Sequence, residues 1–185
     1  MKNKIVISIV FVVFLFVFSG VCLAGNIPAK GDIFPSDYLK VPEIKKNQDY
    51  LGLSESMETF RIDDIQSELV LVQIFSMYCP ICQREATKVN ELFRLIETQG
   101  VSDKVKLLGI APGNSDYEVD VFRDEYDVPF PLIPDPNYEW HKLMGEVGTP
   151  YFLLVQLDNR EILMNDLGPF ENSQELFEEI MEHLN

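Results

Sequence analysis

The sequence predicts one α/β domain: a mixed sheet with helices on both sides. Three observations carry that reading. Apolar, strand-like runs alternate with helical periodicities from about residue 68 onward; two of those runs, ELVLVQIF and VKLLGIA, are apolar enough to be buried on both faces; and the chain closes with a hairpin and a helix. At 185 residues the chain has room for one well-buried domain with a short appendage.

The first 24 residues form a separate unit. Lys2 and Lys4 lead into an apolar run from Ile5 to Phe18 and then the small-residue stretch SGVCLAG, the layout of a secretory signal peptide. Cleavage after Ala24 puts Cys22 and Ala24 at positions −3 and −1 and starts the mature chain at Gly25. Two alternatives stand beside cleavage. The run from Ile5 to Gly25 is long enough to cross a bilayer, so residues 5–25 can serve as a retained membrane anchor. Cys22 can carry a lipid, although Val21 stands where such signals usually have a small residue. All three readings export the domain.

Residues 25–48 carry Pro28, Pro35 and Pro42, scattered charge and no sustained period, and read as an extended arm. The domain proper is expected over residues 49–185. YLGL and METFRIDDI read as short strands or a hairpin, and ELVLVQIF, residues 68–75, as a central strand. Ala86, Val89, Leu92, Phe93 and Ile96 then recur at helical spacing, so a helix begins at or just after Cys79 and stops at Gly100. VKLLGIA, residues 105–111, is the next strand. Ser115 with Glu118 three positions on is a capping-box pattern, opening a helix that turns Val121, Phe122 and Tyr126 inward. FPLIPD supplies a short strand and NYEWHKLMGE a short helix. YFLLVQL and EILMND flank DNR as a hairpin. Asn172 and Glu175 cap a last helix, residues 173–184, with Leu176, Phe177, Ile180 and Leu184 on one face.

Composition excludes one class of partner. The formal charge is −15, and no cluster of Lys and Arg is present, whereas a nucleic-acid binder must neutralise phosphates. Without Lys2 and Lys4 the exported chain keeps 13 basic against 30 acidic residues, a charge of −17. That acidity serves solubility and also steers a basic partner toward the domain at low salt.

Export matters for the cysteines, because disulfides persist outside the reducing cytosol. Beyond residue 24 only Cys79 and Cys82 remain. A bridge between residues three apart closes too small a loop to stabilise a fold, so a purely structural disulfide is a poor account of the pair. At a strand-to-helix junction, Cys79 would sit at a helix N-terminus, where free N–H groups and the macrodipole favour a thiolate. Cys79 is therefore the candidate nucleophile. Cys82, nearly one turn further in, is placed to resolve a mixed disulfide on Cys79. Glu85, three residues beyond, can accept the Cys82 proton; on spacing alone an ordinary solvated glutamate is the other reading. Thr149 and Pro150 directly precede an apolar strand, where proline breaks the ladder. A cis Thr149–Pro150 bond, leaving the Thr149 backbone free to pair with an extended peptide, stands against a trans proline that starts an edge strand.

Strand, CxxC and helix, followed after two more strand–helix units by GTP and an apolar hairpin, resemble the thioredoxin-like fold. More narrowly, the chain is similar to the extracytoplasmic redoxins of the TlpA and ResA type, related to the AhpC/TSA peroxiredoxin superfamily. The likeness runs from about Tyr50 to Leu184. It implies a thioredoxin-like mixed central sheet flanked by helices, with an extra strand–helix insertion between Ala111 and Gly148, ahead of the cis-proline. Glu85 falls on that family's buried glutamate and Pro150 on its cis-proline, with Thr149 and Tyr78 beside the substrate. The sequence departs from the family in four places: Tyr78 stands where Trp is usual, Gln73 where thioredoxin has a buried aspartate, Thr87 where a proline kinks the helix, and Pro80 follows the first cysteine instead of preceding the second. CPxC is the order of glutaredoxins and of disulfide-forming, DsbA-like proteins, so the direction of electron flow stays open.

The expected function is that of a thiol-disulfide oxidoreductase reducing protein disulfides in an exported, periplasmic compartment, with no cofactor. The resemblance implies apocytochrome c among the substrates and a membrane thiol-disulfide carrier as electron donor. A disulfide-forming oxidase of the same fold is one alternative. A peroxiredoxin-like peroxidase is another: Ser76 fits that family's hydroxyl position, but Val72 stands where its proline belongs. A zinc site needs four ligands and the chain adds only His141 and His183 to the pair. An interaction module with vestigial cysteines is the remaining alternative, and the intact CxxC and GTP argue against it.

Overall fold

The structure is a computed structural model and describes residues 27–184. The expected leader, residues 1–24, lies outside the described residues, as does the whole of the 5–25 span. Near the N-terminus β1 (Leu39–Lys40) and β2 (Thr59–Phe60) pair antiparallel, with α1 (Lys45–Leu51) between them. Then follow β3 (Leu69–Ile74), α2 (Pro80–Thr98), β4 (Val105–Pro112), α3 (Asp116–Glu125), β5 (Leu132–Asp135), α4 (Glu139–Leu143), β6 (Tyr151–Gln156), β7 (Ile162–Leu167) and α5 (Ser173–Glu182).

Five strands form one sheet in the order β5-β4-β3-β6-β7. β3, β4 and β5 are parallel, whereas β6 runs antiparallel to both β3 and β7, so the sheet is mixed. This is the thioredoxin-like fold. The α3–β5–α4 stretch is the insertion ahead of the cis-proline.

Strand alternation divides the core in two. On β3, Leu69 and Leu71 face a layer with α2, α3 and α5, where Val89, Leu92, Phe93, Phe122 and Ile180 pack. Val70, Val72 and Ile74 face the opposite layer, built from the N-terminal arm, α1, α4 and the β1–β2 ribbon. The arm therefore covers a sheet face. Phe34 is fully buried and stacks on Trp140 of α4 at 5.8 Å, and the Trp140 indole N–H donates to the Tyr38 carbonyl at 3.0 Å. Burying a side chain of this size stabilises the fold by roughly 1.5–3 kcal/mol.

Some local expectations change. Tyr50 and Leu51 of YLGL end α1 instead of forming a strand, because Gly52 takes a left-handed φ of 71° and its N–H closes back on Asp49 and Gln48. Of METFRIDDI only Thr59–Phe60 is strand. Ile62–Asp64 is a 3₁₀ turn, held where the Asp64 carboxylate accepts the Arg61 N–H at 2.7 Å. α3 opens with the expected capping box: Ser115 accepts the Glu118 N–H and Glu118 accepts the Ser115 N–H. The buried side chains of α3 are Val119 and Phe122, however. Val121 is exposed and Tyr126 half-buried, since a two-residue step turns Val121 well away from the Val119 face.

Candidate active site

The sheet's architecture brings two distant segments together. β3 ends at Ile74 and hands the chain to α2, and Ile74 pairs with Tyr151, the first residue of β6. The residues before β6, Thr149 and Pro150, therefore meet the residues after β3. The Thr149–Pro150 bond is cis, and β6 is an interior strand paired on both sides.

Cys79 is the N-cap of α2 with Pro80 at the first helical position, where a missing N–H and a fixed φ suit a helix start. Its sulfur accepts the Cys82 N–H at 3.4 Å, and its thiol reaches the Thr149 carbonyl oxygen at 3.2 Å. Burial is the largest single influence on this thiol and pushes it up. The Thr149 side chain, the Cys82 and Ile81 N–H groups and the Cys82 thiol together outweigh burial, so Cys79 ends below the ordinary cysteine value. Cys82 is fully buried, and burial pushes its thiol up to about 12. The two sulfurs are unequal: one is half-exposed and poised to ionise, the other sealed and protonated.

Glu85 lies one turn further along α2 and is 6% exposed. Its Oε1 receives the Lys88 ammonium at 3.1 Å, while Oε2 is buried with no hydrogen-bond partner. A solvated glutamate is thereby excluded. Tyr78 is at the rim, 65% exposed, with its hydroxyl donating to the Glu118 carboxylate that also caps α3. Cys79, Cys82 and Thr149 thus form one cluster ahead of the cis Pro150, with Glu85 one turn along α2 and Tyr78 next to Cys79 in the chain.

Two residues that sequence reasoning passed over hold the loop before Cys79. Asn114, fully buried after β4, accepts the Met77 N–H at 2.8 Å and donates to the Ser76 hydroxyl at 3.3 Å. Gln83 donates to the Met77 carbonyl at 2.7 Å. In sequence, PGNS reads as a turn, and nothing in it reveals that the asparagine side chain points into the protein. Of the histidines, His141 bonds the Val147 carbonyl at 2.8 Å and His183 caps α5. Neither is within the thiol cluster's hydrogen-bond network.

A thioredoxin-like sheet carrying unequal paired thiols at a helix N-terminus, against a cis-proline, defines the class: a thiol-disulfide oxidoreductase. The model described as the AhpC/TSA family matches residues 39–162, well over half of the chain, and the chain belongs to that family. Among curated relatives, the thiol-disulfide oxidoreductase ResA of Oceanobacillus iheyensis is 27% identical over 136 residues, covering 65% of this chain and 69% of the relative. Among solved structures, StoA from Bacillus subtilis superposes with a TM-score of 0.57 at 21% identity, covering 82% of this chain and 98% of that one. The thioredoxin domain of a thiol-disulfide oxidoreductase from Bacteroides vulgatus gives a TM-score of 0.62 at 16% identity, covering 85% and 99%.

Proposed function

We propose that this chain reduces protein disulfides in an exported, periplasmic compartment through a Cys79/Cys82 dithiol–disulfide couple. The observation that carries the reading is the placement of the two sulfurs within one site: Cys79 half-exposed at the N-cap of α2 and 3.2 Å from the Thr149 carbonyl oxygen, Cys82 fully buried. In the forward step the Cys79 thiolate attacks one sulfur of a substrate disulfide, the substrate S–S bond breaks, and the released sulfur leaves as a thiolate that takes up a proton. Cys82 then gives its proton to Glu85 and attacks Cys79. The Cys79–Cys82 bond forms, the bond from Cys79 to substrate breaks, and the second substrate sulfur leaves reduced. A membrane thiol-disulfide carrier restores the dithiol, and apocytochrome c is a fitting substrate because its basic surface complements an acidic domain.

The rim supplies the docking elements. Thr149 and Pro150 lie in the segment ahead of the doubly paired β6, and an extended substrate can run along that segment, while Tyr78 offers an exposed ring beside Cys79. Residues 1–24 direct export, as a cleaved leader or through an anchor over residues 5–25. Among the described residues no helix is long and apolar enough to cross a membrane. A peroxidase reading finds less support: Val72 is fully buried inside β3 where a peroxidatic motif needs proline, and the Ser76 hydroxyl is engaged by Asn114.

Insulin reduction coupled to dithiothreitol tests the proposal. Cys79→Ser should bring the rate to background, and Cys82→Ser should stall as a covalent adduct on Cys79. An unchanged rate in Cys79→Ser would sink it, and peroxide consumption at the wild-type level without insulin reduction would move the function to a peroxidase.

A further inference from the structure

α2 buries one acidic side chain, Glu85, and leaves it half satisfied. A carboxylate at this depth loses its hydration, which favours the neutral acid unless a cation stands against it. Lys88 is that cation, with Nζ 3.1 Å from Oε1. The ammonium is also fixed from its far side. It donates to the Phe170 carbonyl at 2.9 Å and lies 5.8 Å from the Phe170 ring, which in turn meets Phe152 of β6 edge-on at 5.5 Å. An i,i+3 pair on a free helix surface would swing between rotamers; this one is clamped by the loop between β7 and α5.

The other charged groups supplied by the surrounding elements do not do this work. Arg84 on α2 is exposed, and Glu91 is taken by the Ser173 hydroxyl at 3.1 Å. Asp166 of β7, Glu171 of the following loop and Glu175 and Glu179 of α5 line a cavity of about 220 Å³ beside Phe170, and all four are acidic. None of these acids can take the place of the ammonium at Oε1.

We propose that Lys88 is a positioning residue for resolution: its clamped ammonium occupies Oε1 of Glu85 and leaves Oε2 as the open acceptor for the Cys82 proton. The proposal rests on the Glu85 role given above and adds what holds that carboxyl in place. Atoms balance without any further reagent. The proton passes from the Cys82 thiol to Oε2, the Cys82 electron pair forms the bond to Cys79, and the pair from the broken bond leaves on the substrate sulfur. Lys88 touches none of the reacting atoms.

The test compares the wild-type enzyme with Lys88→Met, Lys88→Gln, Lys88→Arg and Glu85→Gln. One readout is the protonated share of the Glu85 carboxyl at pH 6, by carbon-13 NMR of labelled glutamate. The other is the pH profile of the single-turnover step that releases substrate. Both neutral variants at Lys88 should raise the protonated share and move the profile alkaline by about one pH unit, a rate loss of roughly tenfold on its acidic limb that is recovered at higher pH. Lys88→Arg should stay within about twofold of wild type. Neutral variants that melt earlier but leave the carboxyl signal and the profile unmoved would overturn the proposal and make Lys88 a structural tie. Glu85→Gln releasing substrate at the wild-type rate would instead overturn the acceptor role of Glu85, and the NMR readout separates the two failures because it does not depend on activity.

Discussion

The Cys79 sulfur lies 3.2 Å from the carbonyl oxygen of Thr149, a residue 70 positions away in the chain. The antiparallel pairing of Ile74 with Tyr151 delivers that contact, so the nucleophile and the residue before the cis-proline are positioned by one strand pair. Disturbing either side should therefore be felt as chemistry at the sulfur.

Alkylation should discriminate the cysteines. Cys79 is lowered from the free-cysteine value of 9.0, so iodoacetamide should modify it below the pH at which a free thiol reacts, while Cys82 stays inert until denaturation. Stability should follow with a definite sign. Cys82 titrates near 9 when unfolded and near 12 when folded, so between those values the folded state holds the proton and the unfolded state does not. Stability of the reduced protein then falls as pH rises from 9 towards 12, and Cys82→Ala should remove that slope. Chemical denaturation across this range, with equal slopes in both proteins, would contradict the assignment.

Thr149→Val keeps the side-chain volume and removes the hydroxyl that helps stabilise the Cys79 thiolate. A hydrogen bond of this kind contributes about 1 kcal/mol, so alkylation of Cys79 at neutral pH should slow roughly fivefold with the fold unchanged. Mass spectrometry of timed samples measures it directly.

Asn114→Ala strips the Met77 N–H of its acceptor at a fully buried position. The expected cost is about 1–3 kcal/mol, seen as a drop in Tm of a few degrees, together with slower insulin reduction because the loop before Cys79 loses its anchor. A variant equal to wild type in both would mean that Gln83 alone holds the loop.

Phe34→Ala tests whether the N-terminal arm is part of the folded unit. Loss of a fully buried aromatic stacked on Trp140 should destabilise the domain by about 3–5 kcal/mol. A free-hanging arm would tolerate the change without loss, which urea denaturation would register.

Where sequence reading succeeded, the signal was local and periodic. ELVLVQIF and VKLLGIA became β3 and β4, the Ser115–Glu118 box opened α3, and Asn172 capped α5, because each is set by residues within one turn or one strand. The failures have a shared cause in packing. α1 has no sustained apolar period because it buries only Asn47 and Leu51, so Tyr50 and Leu51 read as strand. Residues 27–41 lack a period because their order comes from the sheet face they cover and from the Ile33–Glu161 bridge. At the site, CxxC and GTP were legible by chemistry, whereas Asn114, Gln83 and Lys88 are ordinary polar residues whose roles come only from where the fold turns them.

The reduction potential of the Cys79/Cys82 couple, from equilibration with glutathione or dithiothreitol, tests the central claim most directly. Burial works against the Cys79 thiolate but is outweighed, so that thiol lies below the ordinary cysteine value, whereas burial makes Cys82 hold its proton. The account predicts a two-electron couple near the thioredoxin range, about −270 mV. A value near −120 mV, or no reversible couple at all, would contradict it.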